Sequence, residues 1–274
     1  MQYINISLNA LFSALLAPVR ATGPWPGIMV IALVASVLVL LIFKITSNQR
    51  LVRRRKDRFL ARVLELVLFK DDIIVNLGAF GRVLVANMRY LSTLAGPLLV
   101  SILPLMLIMI HANVWFGARS LHAGESALVK ARFTDKFPVM NQSVSLEASK
   151  NIVIETEPVR APSINEISWR LRVGNGHNGW INININGEHI HKTIALGNAL
   201  TGVSRRRIQG RFRHALENPL ERPLPKTSPL VLLEVHYPAS NLMLFGKRLH
   251  WLVVFLVLCL VFGWLLKKPL GVVI

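Results

Sequence analysis

The sequence predicts an α-helical membrane protein with three transmembrane helices, a cytoplasmic helical hairpin and an inserted β-sandwich-like domain. Three observations lead there. The 274 residues are 53% hydrophobic yet carry a net charge of +18, and the two properties are segregated along the chain. Residues 21–43, 90–118 and 249–266 contain no Asp, Glu, Lys or Arg. A hydrocarbon core of about 30 Å takes roughly 20 helical residues, and all three runs fit, the third with little to spare. Between the second and third runs, short segments alternate apolar and polar residues, the period of a half-buried strand.

In order, residues 1–27 read as an N-terminal interfacial helix and a break. NISLNALFSALLAPV is apolar but too short to span, and it runs into Pro18. ATGPWPG follows, with Trp25 suited to headgroup depth. Residues 28–43 are the first span. A cleaved signal peptide would carry a basic region ahead of its apolar run, whereas here the dense positive block comes after it.

Residues 44–90 read as a cytoplasmic pair of amphipathic helices, an antiparallel coiled-coil hairpin. Val52, Phe59, Val63 and Leu66 form one helical stripe, and Ile73, Leu77, Phe80, Leu84, Met88 and Leu91 form a second. Asp71 and Asp72 mark the turn, and Gly78 with Gly81 would let the arms approach closely. Residues 91–117 are the second span, where Pro97 and Pro104 should bend the helix. Residues 247–266 form the third span and 267–274 a basic tail.

Charge sets the orientation. Residues 44–89 carry eleven Lys/Arg against four Asp/Glu, and Lys267 and Lys268 follow the last span. Short basic loops stay cytoplasmic, while long domains cross largely regardless of charge. The N-terminus is therefore expected outside, the C-terminus inside, and residues 118–246 outside despite their basic balance.

That outer region reads as β. ISWRLRV and INININ alternate strictly, and Asn186-Gly187 is a strong two-residue hairpin signal. The turn would set Ile183 opposite Ile190, Asn184 opposite His189 and Asn182 opposite His191. ALVKARF and LVLLEVHY supply further strands, so a sandwich is expected.

Several constellations carry candidate chemistry. Arg53, Arg54, Arg55 and Lys56, with Arg50 and Arg58, cluster on the cytoplasmic side. Attraction to anionic lipid, contact with ribosomal RNA and a plain orientation signal all remain open readings. Arg205, Arg206, Arg207, Arg211 and Arg213 form an outer basic patch, either a solvated face or a grip on headgroups, an acidic polymer or a partner. His189 and His191 share a strand face, but no Cys or suitably spaced carboxylate supports a metal site. No nucleophile elbow, phosphate loop, metalloprotease helix or paired-carboxylate arrangement is present, so neither an enzyme nor a bound cofactor is expected. The single cysteine, Cys259, allows no disulfide within the chain.

The order of these parts resembles the YidC/Oxa/Alb insertase superfamily, especially its short three-span archaeal and endoplasmic-reticulum branches. The likeness is carried by LNALFSALLAPV, by FKITSNQRLVRRRKDR and by the terminal GWLLKKPLGVV. It covers roughly residues 1–117 and 246–274; the β domain lies outside it. In Gram-negative YidC proteins an outer β domain follows the first span, so the two are not equivalent. The resemblance implies insertion or chaperoning of membrane proteins without an energy source, through a groove among the spans in a thinned, partly hydrated bilayer. The hairpin would meet nascent or small membrane proteins, the ribosome or another subunit of a membrane complex, by way of Arg53, Arg54, Arg55, Phe59 and Leu66. Many members hold a positive residue in the groove, and here no Lys or Arg lies within a span. Ser36, Ser101, Lys44, Arg89, Met106 and Met109 are the remaining groove candidates. Helix packing is the competing reading for the serines and methionines, including Met29 and Met88. His111 and Asn113 fall near the outer end of the second run. The expected setting is a plasma membrane. The alternative function is a non-catalytic membrane anchor whose β domain binds an envelope component or scaffolds a complex.

Overall fold

The computed structural model describes residues 2–68, 73–210, 218–244 and 246–273. Among these residues there are five α-helices: α1 (Gln2–Leu16), α2 (Pro24–Thr46), α3 (Gln49–Leu68), α4 (Ile73–Phe116) and α5 (Trp251–Leu266). They also contain eleven strands. Two compact units divide the chain: residues 1–30 with 109–253, and residues 31–108 with 254–274.

The β domain belongs to the first unit. A six-stranded sheet has the order β3 (Ile152–Ile154), β5 (Glu166–Val173), β1 (Ser126–Phe133), β9 (Leu230–Val235), β8 (Arg206–Ile208), with β4 (Val159–Ala161) also pairing β5. A three-stranded sheet has the order β2 (Val144–Ala148), β6 (Asn178–Ile185), β7 (Glu188–Ala195). Strict alternation makes this a sandwich. Ile167, Trp169, Leu171 and Val173 from one sheet share a single core with Ile181, Ile183, Ile190 and Ile194 from the other. Asn186 (φ 49°) and Gly187 (φ 92°) make the β6–β7 turn, and both central residues of such a tight hairpin need positive φ. The register is Ile183 with Ile190, Asn184 with His189 and Asn182 with His191.

The same unit holds the N-terminal segment in place. α1 is followed by a 3-10 turn, Ala17–Thr22, and by Gly23 at φ 95°. Arg20 Nη2 donates to the Ser13 carbonyl (3.2 Å) and hydroxyl (2.5 Å), and its guanidinium lies 5.2 Å over the Trp115 ring. Asn9 donates to the Pro219 carbonyl at 2.7 Å. The expected break at 21–27 is shorter than the sequence suggests. α2 already starts at Pro24, because proline in a first helical turn gives up only an N–H that has no intrahelical partner.

Two other boundaries move. Residues 247–250 were expected to open the third span. They instead form β11 (Lys247–His250), paired with β10 (Asn241–Leu244), and α5 starts only at Trp251. The hairpin arm at 73–90 and the run at 91–117 are one uninterrupted helix, α4, which continues through Pro97 and Pro104. By length and composition α2 and residues 77–116 are able to cross a membrane, while α5 is a shorter apolar helix of 16 residues.

In the second unit, Asn48 caps α3, its Oδ1 accepting from Leu51 N at 3.1 Å. Leu40, Phe43, Val52, Leu94 and Val272 form a buried cluster there. The last residues fold back into that unit, with Val273 N donating to Gln49 Oε1 (2.8 Å) and Lys44 Nζ to the Leu270 carbonyl (2.8 Å).

Two ion pairs of the β domain are well formed. Lys192, fully buried, donates to Glu221 (2.7 Å) and to Ser204 (3.2 Å). Burial pushes its pKa down, and the Glu221 carboxylate opposes that. Removing one partner strands the other, so Glu221→Leu alone should cost about 3–5 kcal/mol of stability. Lys192→Met with Glu221→Leu should recover most of it; unfolding of the full chain in detergent reports both. Arg119 forks onto Glu125 at 2.7 and 2.8 Å and holds its carboxyl at about 2, below the ordinary 4.5. A depressed carboxyl stabilises above its ordinary pKa and loses that contribution as pH falls through the folded value. The Tm gap between the wild type and Glu125→Gln should therefore be open at neutral pH and close between pH 4.5 and about 2.

Candidate functional site

A highly charged concavity lies in the hairpin of α3 and α4, inside the second unit. On α3, residues 55, 58 and 62 are spaced three and four apart and share a face; on α4, residues 82 and 89 are two turns apart. Together Arg55, Arg58, Arg62, Arg82 and Arg89 line a cavity of about 650 Å³, with Gly78, Gly81, Val85 and Ala86 completing its wall.

One of these arginines builds the site. Arg55 Nη1 donates to the Arg89 carbonyl (2.6 Å), Thr93 Oγ1 (2.8 Å) and Ser92 Oγ (3.2 Å). Next to it Phe59 stacks on Tyr90 with ring centres 6.2 Å apart. Glu65 is shared by Arg62 and Arg82, each at 2.7 Å, and these guanidiniums hold its carboxyl below the usual range. Among the described residues the cleft thus sets five guanidiniums against one paired carboxylate.

The glycines do not bring the arms together. A Cβ at Gly81 would meet nothing within 4 Å, and one at Gly78 only the Arg82 side chain, so they widen the cleft. The second apolar stripe is also not the seam. Leu77, Phe80, Leu84, Met88 and Leu91 are exposed, Leu77 by 74% and Met88 by 62%. The inward face of α4 is made by Ala79, Ala86 and Leu94. On α3 the expected stripe does turn inward, with Val52 fully buried and Phe59, Val63 and Leu66 half-buried. Periodicity identifies an apolar face but not what covers it. The turn at Asp71 and Asp72 lies outside the described residues, as does the side chain of Ile73.

The groove candidates have different surroundings. Ser36 Oγ donates to the Ala32 carbonyl (2.7 Å) and to that of Cys259 (3.2 Å), joining α2 to α5. Ser101 Oγ donates to the Pro97 carbonyl within α4 at 2.9 Å. Both hydroxyls are buried and occupied by backbone. Lys44 serves the C-terminal turn, Met106 is exposed, Met109 is half-buried, and Arg89 belongs to the hairpin cleft. Of the basic run at 53–58, Arg53 and Arg54 are on the exposed side of α3, and Arg55 and Arg58 line the cleft. Arg62 and Arg82 escape notice in the sequence because neither lies in the dense run; the spacing of charges on each helix is the signal that finds them.

In the basic patch of the β domain, Arg206 and Arg207 help hold that domain together. Arg206 pairs with Glu234 at 2.7 Å, and Arg207 donates to the carbonyls of His191 (2.6 Å) and Arg222 (2.8 Å). Burial lowers the pKa of both Arg205 and Arg207. Arg211 and Arg213 lie outside the described residues. On the second sheet, Asn182 Nδ2 lies 3.1 Å from His189 Nδ1, and Trp180 stacks on His191 at 6.0 Å. Among the described residues no group of three or more His, Cys, Asp or Glu converges as metal ligands would.

Loss of the Arg55 fork should loosen the hairpin without unfolding the chain. Charge-assisted contacts of this kind are worth about 1–2 kcal/mol, so Arg55→Ala should speed amide exchange in α3 roughly tenfold. Arg55→Lys should restore part, because all three contacts come from the single Nη1 and an ammonium also brings several donors on one nitrogen, though on a shorter side chain. Hydrogen-exchange mass spectrometry measures both. No family model, curated protein or solved structure matches the chain.

Proposed function

We propose that the chain is an insertase-like membrane-protein biogenesis factor, or membrane chaperone, that acts without an energy source. It lies in a plasma membrane with its N-terminus outside and its hairpin and C-terminus in the cytoplasm. The observation that carries this reading is the pairing, on one hairpin, of an open basic cleft and a bare apolar stripe. Such a hairpin meets an incoming segment with both surfaces it needs, apolar for the spanning part and cationic for a polar flank.

Two further features support it. Leu98, Leu99, Val100, Ile102 and Leu103 of α4 are all exposed, which suits lipid and would be unusual for the core helix of a soluble protein. α5, at 16 residues, is about 24 Å long, short of the roughly 30 Å of a hydrocarbon core. A short span is accommodated by local thinning of the bilayer, and thinning lowers the cost of moving a polar segment across.

The second reading, a non-catalytic anchor for the outer β domain, is favoured by Ser36 and Ser101. Their hydroxyls are bonded to backbone and leave little polar surface among the apolar helices. The two readings differ in what depletion does. An insertase predicts loss of newly made membrane proteins with short translocated tails, read by a quantitative membrane proteome, and crosslinks to nascent chains from a photoreactive group at Leu84 or Met88. Unchanged insertion of those clients, with no nascent-chain crosslinks, leaves only the anchor.

A further inference from the structure

We propose that the arginine cleft of the hairpin is a site for the phosphate of an anionic membrane-lipid headgroup. Five guanidiniums line one cavity, and Glu65, already shared between Arg62 and Arg82, is the carboxylate that answers them among the described residues. Arg55 is committed to the α4 backbone and hydroxyls, whereas Arg58 and Arg89 line the same open volume. Guanidiniums around one cavity repel one another less when an anion sits between them, and their planar forks match phosphate oxygens. At about 650 Å³ the cavity is in the range of small-molecule sites, large enough for a headgroup.

The choice of lipid over nucleic acid rests on the apolar residues nearby. Phe59 and Tyr90 are half-buried and stack on each other, which uses one face of each ring that a base would need. Leu77, Phe80, Leu84, Met88 and Leu91 of the same helix are bare, and a ligand that joins phosphate to acyl chains uses both surfaces, which a nucleic acid does not. Arg89 also stands at the last charged position before the uncharged run that starts at Tyr90, the level at which headgroups meet hydrocarbon in the membrane reading. This site does not depend on the insertase reading, since an anchor would carry it equally well.

Native mass spectrometry of the full chain in detergent, titrated with phosphatidylglycerol and separately with phosphatidylcholine, tests the site. The wild type should retain phosphatidylglycerol preferentially. Arg58→Gln with Arg89→Gln should weaken that retention about tenfold, two charge-assisted contacts being lost. The Arg55 fork survives in that variant, because it is the Arg89 carbonyl that accepts. Arg53→Gln with Arg54→Gln removes the same charge from the exposed side of α3 and should change retention less than twofold, the size of a screened surface effect. Glu65→Gln should tighten binding, an opposite sign that misfolding would not give. Equal losses in the two double variants, or equal retention of the two lipids, would overturn the site. Glycerol 3-phosphate binding as tightly as the lipid would make a soluble phosphate the ligand and sink the lipid assignment. So would cleft-dependent retention of a short RNA in place of lipid.

Discussion

A guanidinium that donates to one carbonyl and two hydroxyls at once fixes both the distance and the rotation of the helix it reaches. Arg55 does this at the foot of the hairpin, where Arg89 O, Ser92 and Thr93 receive it. Those acceptors exist because α4 passes through this level as an unbroken helix. Thr93 and Ser92 also bond back to the Arg89 carbonyl, so the receiving turn is itself well determined. With α3 held at that point, the spacing of its charges places Arg58 and Arg62 over the same hollow as Arg82 and Arg89. The Phe59–Tyr90 stack adds an apolar contact beside the fork.

The cleft is widest where its wall lacks side chains. Gly78 and Gly81 lie where a larger residue would fill space, and like charges on both arms oppose closure. Glu65 offsets part of that repulsion through Arg62 and Arg82. In the proposed membrane setting the hairpin is amphipathic in an unusual sense. Its polar side is the inside of the cleft, and its apolar side faces out from α4 towards lipid or an incoming segment.

The β domain handles its excess of positive charge in the opposite way. Glu155 takes Arg170 and Arg172, Glu166 takes Lys130 and Arg132, Glu234 takes Arg206, and Glu221 takes the buried Lys192. Arginines left without a carboxylate, such as Arg207, spend their donors on carbonyls. A basic segment there is consequently structural to a degree that its charge alone does not convey. The same holds for Arg20, whose donors and flat face secure α1 against Ser13 and Trp115.

Local patterns in the sequence determined a good deal by themselves. Strict alternation in ISWRLRV and INININ placed Ile167, Trp169, Ile181 and Ile183 in one core, and Asn186-Gly187 set the β6–β7 register, because a two-residue turn leaves no freedom in pairing. The helical stripe of α3 and the long uncharged runs were equally legible, since period and length are properties of the chain alone. Tertiary structure decided what lies beyond the reach of periodicity. It turned the Leu77–Leu91 stripe outward, occupied Ser36 and Ser101 with backbone, and tied Arg206 and Arg207 into the sheet. It also gathered Arg55, Arg58, Arg62, Arg82 and Arg89 around one hollow. An apolar or charged face announces itself in sequence, but its partner comes from another segment, and only the folded chain brings the two within a few ångströms.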